Sequence, residues 1–298
     1  MPKPQPPPPP LDDLRAIIAT EDWDDHAFSR QKAYACAILS ELAYWHIPSF
    51  ELGTHDNVKL VPSSAYQELQ RRLIIEDFYA RMLTERELAV TVLDRRLAVV
   101  IILKTNSVIF VAVRGTAYLY DWLVNANVLK CSDQTDGGRF HRGFYLAARD
   151  FCTELTLNVA KYDPSTPVYL TGHSLGGAMA AIVHATWNWC PHCREMHSGW
   201  EWSHSAYTFG MPRYANTVGV TAYRCPYHVL KVGDMVPRVP PESLGYANSN
   251  AEYELSGKAL KRVSSRDVYS FAVWIARLAR RTAITEHFIE GYRAALAH

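Results

Sequence analysis

The stretch Leu170-Thr171-Gly172-His173-Ser174-Leu175-Gly176-Gly177-Ala178 constrains this chain more than any other. It sets a G-x-S-x-G pentad between an apolar run, Pro167-Val168-Tyr169-Leu170, and a small-residue helical segment, Ala178-Met179-Ala180-Ala181-Ile182-Val183-His184-Ala185. A strand that becomes a helix within so few residues makes a turn too tight for side chains beside its apex. Gly172 and Gly176 remove them. Ser174 then protrudes as a candidate nucleophile, whereas the bland alternative, a glycine-rich loop without chemistry, leaves the flanking strand and helix patterns unexplained.

A serine hydroxyl acts as a nucleophile only with a base to take its proton, a carboxylate to orient the base, and N–H donors for the oxyanion. On an elbow of this kind the partners follow along the chain in the order serine, acid, histidine. Of twelve histidines only His287 and His298 lie beyond a suitable acid, and His298 is the last residue, where fraying spoils its aim. His287 is therefore the expected base. The aspartates after Ser174 are Asp234 and Asp267. Asp234 follows an apolar strand and enters a proline-stiffened loop, which is where an open α/β sheet presents groups at its carboxyl edge. Asp267 reads instead as the first turn of a helix capped by Ser264 or Ser265, so Asp234 is preferred. For the oxyanion, the N–H of Leu175 points into the elbow. The second donor is expected from Thr116, at the end of the strand Val108 to Val113, though Arg114-Gly115-Thr116 also reads as a plain turn.

With these residues in view, the chain resembles the class 3 lipases, the fungal-lipase-like branch of the α/β-hydrolases. The resemblance rests on Val113-Arg114-Gly115-Thr116, Asp121-Trp122, His141-Arg142-Gly143-Phe144, the elbow from Gly172 to Gly176, Tyr207-Thr208-Phe209-Gly210-Met211-Pro212-Arg213 with Asn216, Asp234 with Val236-Pro237 and Pro240-Pro241, and His287 with Tyr292. These run in the family's order from about residue 97 to 296. Val113 departs from the family's usual aromatic residue at that point. The resemblance implies an α/β-hydrolase fold with a mostly parallel central sheet flanked by helices, and a triad of Ser174, Asp234 and His287. It also implies an oxyanion hole from Thr116 and Leu175, hydrolysis of lipid esters such as triacylglycerol or other acylglycerols, and no cofactor. A feruloyl-type or phospholipid esterase shares this chemistry, and a non-catalytic interaction module shares the fold. In this family a lid helix follows the oxyanion strand. Tyr118, Leu119, Trp122 and Leu123 either make the apolar face of such a lid, in contact with lipid surfaces, or pack down as core.

Composition agrees with a single domain over 11–298 preceded by an extended proline-rich tail, residues 1–10, which reads as a passive extension or an SH3-type ligand. A net charge of +1 argues against a nucleic-acid partner. The longest apolar runs fall short of the ~18 residues of a transmembrane span. No apolar leader precedes the domain, which favours the cytoplasm, with secretion open if a leader has been removed.

Helices are expected over 27–45, 65–73, 143–159, 175–189, 268–280 and 288–296. A β-hairpin is expected around Lys104-Thr105-Asn106-Ser107, and strands over 167–171, 206–210 and 227–232. Six cysteines lie far apart, with Cys36 and Cys152 inside expected helices as buried thiols. Metal is not expected. The weaker alternative is Cys190 and Cys193 with His197 as three corners of a zinc site, His184 or His204 being the fourth. A disulfide or redox pair and ordinary thiols remain open for the same two cysteines.

Overall fold

The computed structural model describes residues 9–44, 89–95, 98–115, 129–132, 137–187, 202–221, 225–263 and 286–297. Its centre is an eight-stranded sheet. In chain order the strands are β1 (Ala89–Asp94), β2 (Val99–Lys104), β3 (Ile109–Val113), β6 (Val168–His173), β7 (Ser205–Phe209), β8 (Tyr227–Lys231), β9 (Ala251–Ser256) and β10 (Ala259–Val263), and they lie side by side in that order. The five inner strands, β3 to β9, are parallel, and β1, β2 and β10 continue the edges antiparallel. A separate ribbon pairs β4 (Lys130–Ser132) with β5 (Arg139–His141). The fold is the mostly parallel α/β-hydrolase sheet that the motifs implied.

Helices cover both faces. On one side lie α3 (Arg142–Val159) and α4 (Leu175–Thr186); on the other lie α1 (Leu11–Thr20), α2 (Arg30–Leu42) and α6 (Ile289–Leu296), with the short α5 (Thr217–Thr221) beside β5. Strand side chains alternate between the two cores as the pleat requires. Val100, Ile102, Ile109, Val111, Val113, Val168 and Leu170 join the α3/α4 side, while Val99, Ile101, Leu103, Phe110, Ala112 and Tyr169 join the α2/α6 side. Burial on both faces explains why these strands read as continuous apolar runs.

Local chemistry sets the element boundaries. The expected hairpin closes through Thr105, whose N–H and hydroxyl donate to the Val108 carbonyl at 2.9 and 2.8 Å while its Oγ1 accepts from the Val108 N–H. The helix expected over 27–45 begins only at Arg30, because Ser29 Oγ accepts from the N–H groups of Gln31 and Lys32 and caps it. Cys36 and Cys152 are buried, within α2 and α3. Strands β1, β9 and β10 and the β4/β5 ribbon were not read from the sequence; β10 is exposed along much of its length, so it carries little apolar pattern. The expected helices over 65–73 and 268–280 and most of the proline-rich tail lie outside the described residues. Among the described residues no helix is long and apolar enough to cross a membrane.

Candidate active site

Ser174 stands between β6 and α4, where φ is 58° and ψ is −130°; it is the one non-glycine residue with positive φ among those described. A side chain rarely holds that conformation unless its surroundings impose it. Here the Ser174 N–H donates to the Phe209 carbonyl on the neighbouring strand at 2.9 Å. The two elbow glycines are needed because backbones meet. A Cβ on Gly172 would fall 2.5 Å from the Gly176 carbonyl, and one on Gly176 would fall 2.7 Å from the Gly115 nitrogen at the end of β3. Helix α4 can therefore press on the strands that launch it. Leu175 is the first residue of α4, so its N–H has no acceptor within the helix.

Asp234 lies three residues past β8, after Gly233 at φ 96°, and opens the turn Val236–Arg238. Its carboxylate is buried and fully used. Oδ1 accepts from the Val236 N–H at 2.9 Å, and Oδ2 accepts from His287 Nδ1 at 2.8 Å and from the Tyr292 hydroxyl at 2.5 Å. Because a carboxylate only accepts, Nδ1 of His287 carries the proton and Nε2 presents a lone pair. Ser174 Oγ and His287 Nε2 are both enclosed, and neither has a hydrogen-bond partner among the described residues.

Several residues shape this centre without having been singled out for it in the sequence. Gly210, at φ 53°, ends β7 against the pair; a Cβ there would lie 2.8 Å from Asp234 Oδ2 and 3.1 Å from His287 Cε1. Arg213, three residues on, ties down the proline loop. Its guanidinium donates to Asn248 Oδ1 at 2.8 Å, to the Pro240 carbonyl and Glu242 carboxylate at 2.9 Å each, and to the Arg238 carbonyl. Helix α6, which follows His287, is docked on α2 by an Arg293–Glu41 ion pair and by Arg30, which donates to the carbonyls of Ala295 and Leu296. Burial pushes the Glu41 carboxyl up from its ordinary pKa, and Arg293 opposes that shift. The motif that quotes Gly210, Arg213 and Tyr292 was visible; their contacts, formed between distant strands and loops, were not.

The structure thus brings Asp234 and His287 into direct contact and places Ser174 one residue beyond His173, whose ring centroid is 4.4 Å from that of His287. Thr116, Asp267, the lid candidates Tyr118, Leu119, Trp122 and Leu123, and the cluster Cys190, Cys193 and His197 lie outside the described residues. His184 and His204, the candidates for a fourth zinc ligand, have other contacts: His184 Nδ1 is 2.7 Å from Ser203 Oγ, and His204 Nδ1 accepts from the Val168 N–H at 2.9 Å.

Residues 110–244 match the family model described as lipase (class 3). A secreted mono- and diacylglycerol lipase of Fusarium solani is 31% identical over 162 residues, covering 52% of this chain and 46% of that protein. A lipase of Rhizomucor miehei is 28% identical over 169 residues, covering 52% of this chain and 44% of that protein. This chain spans about half the length of the curated relatives it matches. Among solved structures, a lipase from Rhizopus microsporus var. chinensis superposes with a TM-score of 0.59 at 17% identity, covering 98% of this chain and 95% of that one. A triacylglycerol lipase described as having a serine protease triad for its catalytic centre gives 0.60 at 19% identity, covering 91% and 98%. The Fusarium relative is named as secreted, so the cytoplasmic expectation draws no support from it. Together, the matched segment and the ordered motifs make this chain similar to the class 3 lipases over residues 110–244, and the sheet is that of an α/β-hydrolase fold.

Proposed function

We propose that this protein hydrolyses carboxylic esters of lipids, acylglycerols in particular, through Ser174, His287 and Asp234. The observation that carries the reading is the enclosed His287 ring, bonded to Asp234 through Nδ1 while Nε2 is left open near a serine held in a left-handed turn. In this reading His287 takes the Ser174 proton as Oγ attacks the acyl carbon. Asp234, held by Val236 and Tyr292, stabilises the imidazolium. The oxyanion forms against the N–H groups of Leu175 and Thr116, each worth about 2.7–4 kcal/mol in the transition state. His287 returns the proton to the leaving alcohol, and an acyl-enzyme remains. Water, deprotonated by the same histidine, then releases the carboxylic acid.

Acylglycerols are favoured because the relatives are named as lipases of mono- and diacylglycerols. The exposed side chains Val232 and Phe288 add apolar surface beside Asp234 and His287 along the chain, as peripheral contact with a lipid surface would use. The test is hydrolysis of a panel of mono-, di- and triacylglycerols, phospholipid and hydroxycinnamate esters, with fluorophosphonate labelling. Ser174→Ala is expected to remove both turnover and labelling, with rates falling at least about 10⁴-fold. Labelling retained at another serine overturns the assignment, and preference for phospholipid or hydroxycinnamate overturns the substrate class. A well-folded chain inert on the whole panel would mark a non-catalytic module.

A further inference from the structure

His173, between Gly172 and the proposed nucleophile, carries a side chain that the mechanism above leaves idle. Its ring is buried at the carboxyl end of β6, and both ring nitrogens have partners. Nε2 lies 2.6 Å from the backbone carbonyl of His287, and Nδ1 lies 3.2 Å from the Tyr44 hydroxyl. A carbonyl only accepts, so the proton sits on Nε2, and Nδ1 takes the Tyr44 hydroxyl as donor. Burial, and next the nearness of His287, hold this imidazole well below its ordinary pKa, so it remains a neutral ring with one donor and one acceptor. Tyr44 also approaches the His173 carbonyl at 3.2 Å and packs against Gly115, the residue before Thr116.

We propose that His173 is a positioning residue: its Nε2–H holds the His287 backbone carbonyl and so fixes the distance between the general base and the serine that follows it in the chain. This rests on the reading of Ser174 and His287 as nucleophile and base. The argument is geometric. Asp234 sets the orientation of the His287 ring, but a bond to the ring leaves the backbone beneath it able to shift. Other anchors act on neighbouring residues: Lys231 pairs with Glu286, the Tyr292 hydroxyl bonds Asp234 and the Lys231 N–H, and Arg293 with Glu41 and Arg30 with the carbonyls of Ala295 and Leu296 hold the later turn of α6. The His173 bond acts at His287 itself and comes from the residue joined to Ser174 by a peptide bond. Displacing base from nucleophile therefore breaks this contact first. Displacement by about 1 Å in such a pair costs on the order of 100-fold in rate.

Two amide replacements separate this role from simple packing, because a glutamine amide nitrogen reaches the place of Nε2 whereas an asparagine amide nitrogen reaches only that of Nδ1. On a soluble p-nitrophenyl ester, His173→Asn is expected to lower kcat about 100-fold with KM within about twofold, while His173→Gln stays within about fivefold of the parent. The unsubstituted protein is expected to show a slowly exchanging His173 Nε2–H resonance by NMR, a readout that does not depend on whether either variant folds. Equal loss of kcat in the two variants, a change confined to KM, or an absent Nε2–H resonance overturns the proposal. Failure of the unsubstituted protein to turn over esters or to label with fluorophosphonate overturns the site reading instead; an active protein whose His173→Asn variant keeps its kcat overturns only this inference.

Discussion

Two buried histidine–carboxylate pairs belong to this sheet, one near the start of β8 and β9 and the other past the carboxyl end of β8, and they differ in what their second nitrogen does. His228 on β8 faces Glu252 on β9 at 3.5 Å through Nδ1, while its Nε2 accepts the Met211 N–H at 3.1 Å and Glu252 accepts the Ser249 N–H. Every ring nitrogen there serves the fold. His287 is bonded to Asp234 at 2.8 Å in the same manner, yet its Nε2 has no partner among the described residues. A carboxylate beside an imidazole is thus no signature of catalysis. What separates these two pairs is that the fold leaves His287 Nε2 open, at a cost of about 1–3 kcal/mol, and that its ring packs on His173, the residue before the Ser174 elbow.

The contrast can be tested by exchanging the damage. His287→Ala and Asp234→Asn are expected to lower kcat by about 10⁴-fold, a rate loss far larger than any accompanying stability loss, because the first removes the base and the second its tautomer. Steady-state kinetics beside thermal melts checks this, and a stability loss in place of the rate loss breaks the comparison. His228→Leu should do the reverse. It leaves the Glu252 carboxylate and the Met211 N–H without their partner, costing about 2–4 kcal/mol in denaturant unfolding, with kcat far less affected than in His287→Ala.

A third histidine sharpens the point through pH. His141 caps α3 by accepting the Phe144 N–H, and burial lowers its pKa from 6.5 to about 4. The unfolded chain binds this proton more readily than the folded one. The contribution of His141 to stability is therefore full above about 6.5 and lost as pH falls toward 4. Replacing His141 with Gln is expected to reduce the acid loss of stability across that window by at most about 3 kcal/mol, read from denaturant midpoints at several pH values. The smallest expected effect is at Tyr292→Phe, which removes one of three donors to Asp234 and should cost about tenfold in kcat with KM unchanged. A shift in KM instead would place Tyr292 in substrate binding.

The elbow at Ser174 and the pairing of Asp234 with His287 were within reach of the residue order. The physical reason is that a strand–turn–helix is a local structure, and glycine at 172 is demanded by contacts with Gly176 and Gly177; glycine at 176 answers instead to Val113 and Gly115, which only the folded sheet brings near. The alternation of apolar runs with helical segments likewise determined a parallel α/β sheet. Strands β9 and β10 escaped because their register depends on neighbours rather than on an apolar pattern of their own.

What the tertiary structure alone decided is which polar groups meet across long loops. Asp234 and His287 are 53 residues apart, and Tyr44 meets His173 across 129. Nothing in the sequence distinguishes the ring of His228, satisfied on both nitrogens, from that of His287, satisfied on one. Hydrogen bonds are short-ranged and directional, so the partner of an imidazole is settled only when strands from distant parts of the chain lie side by side.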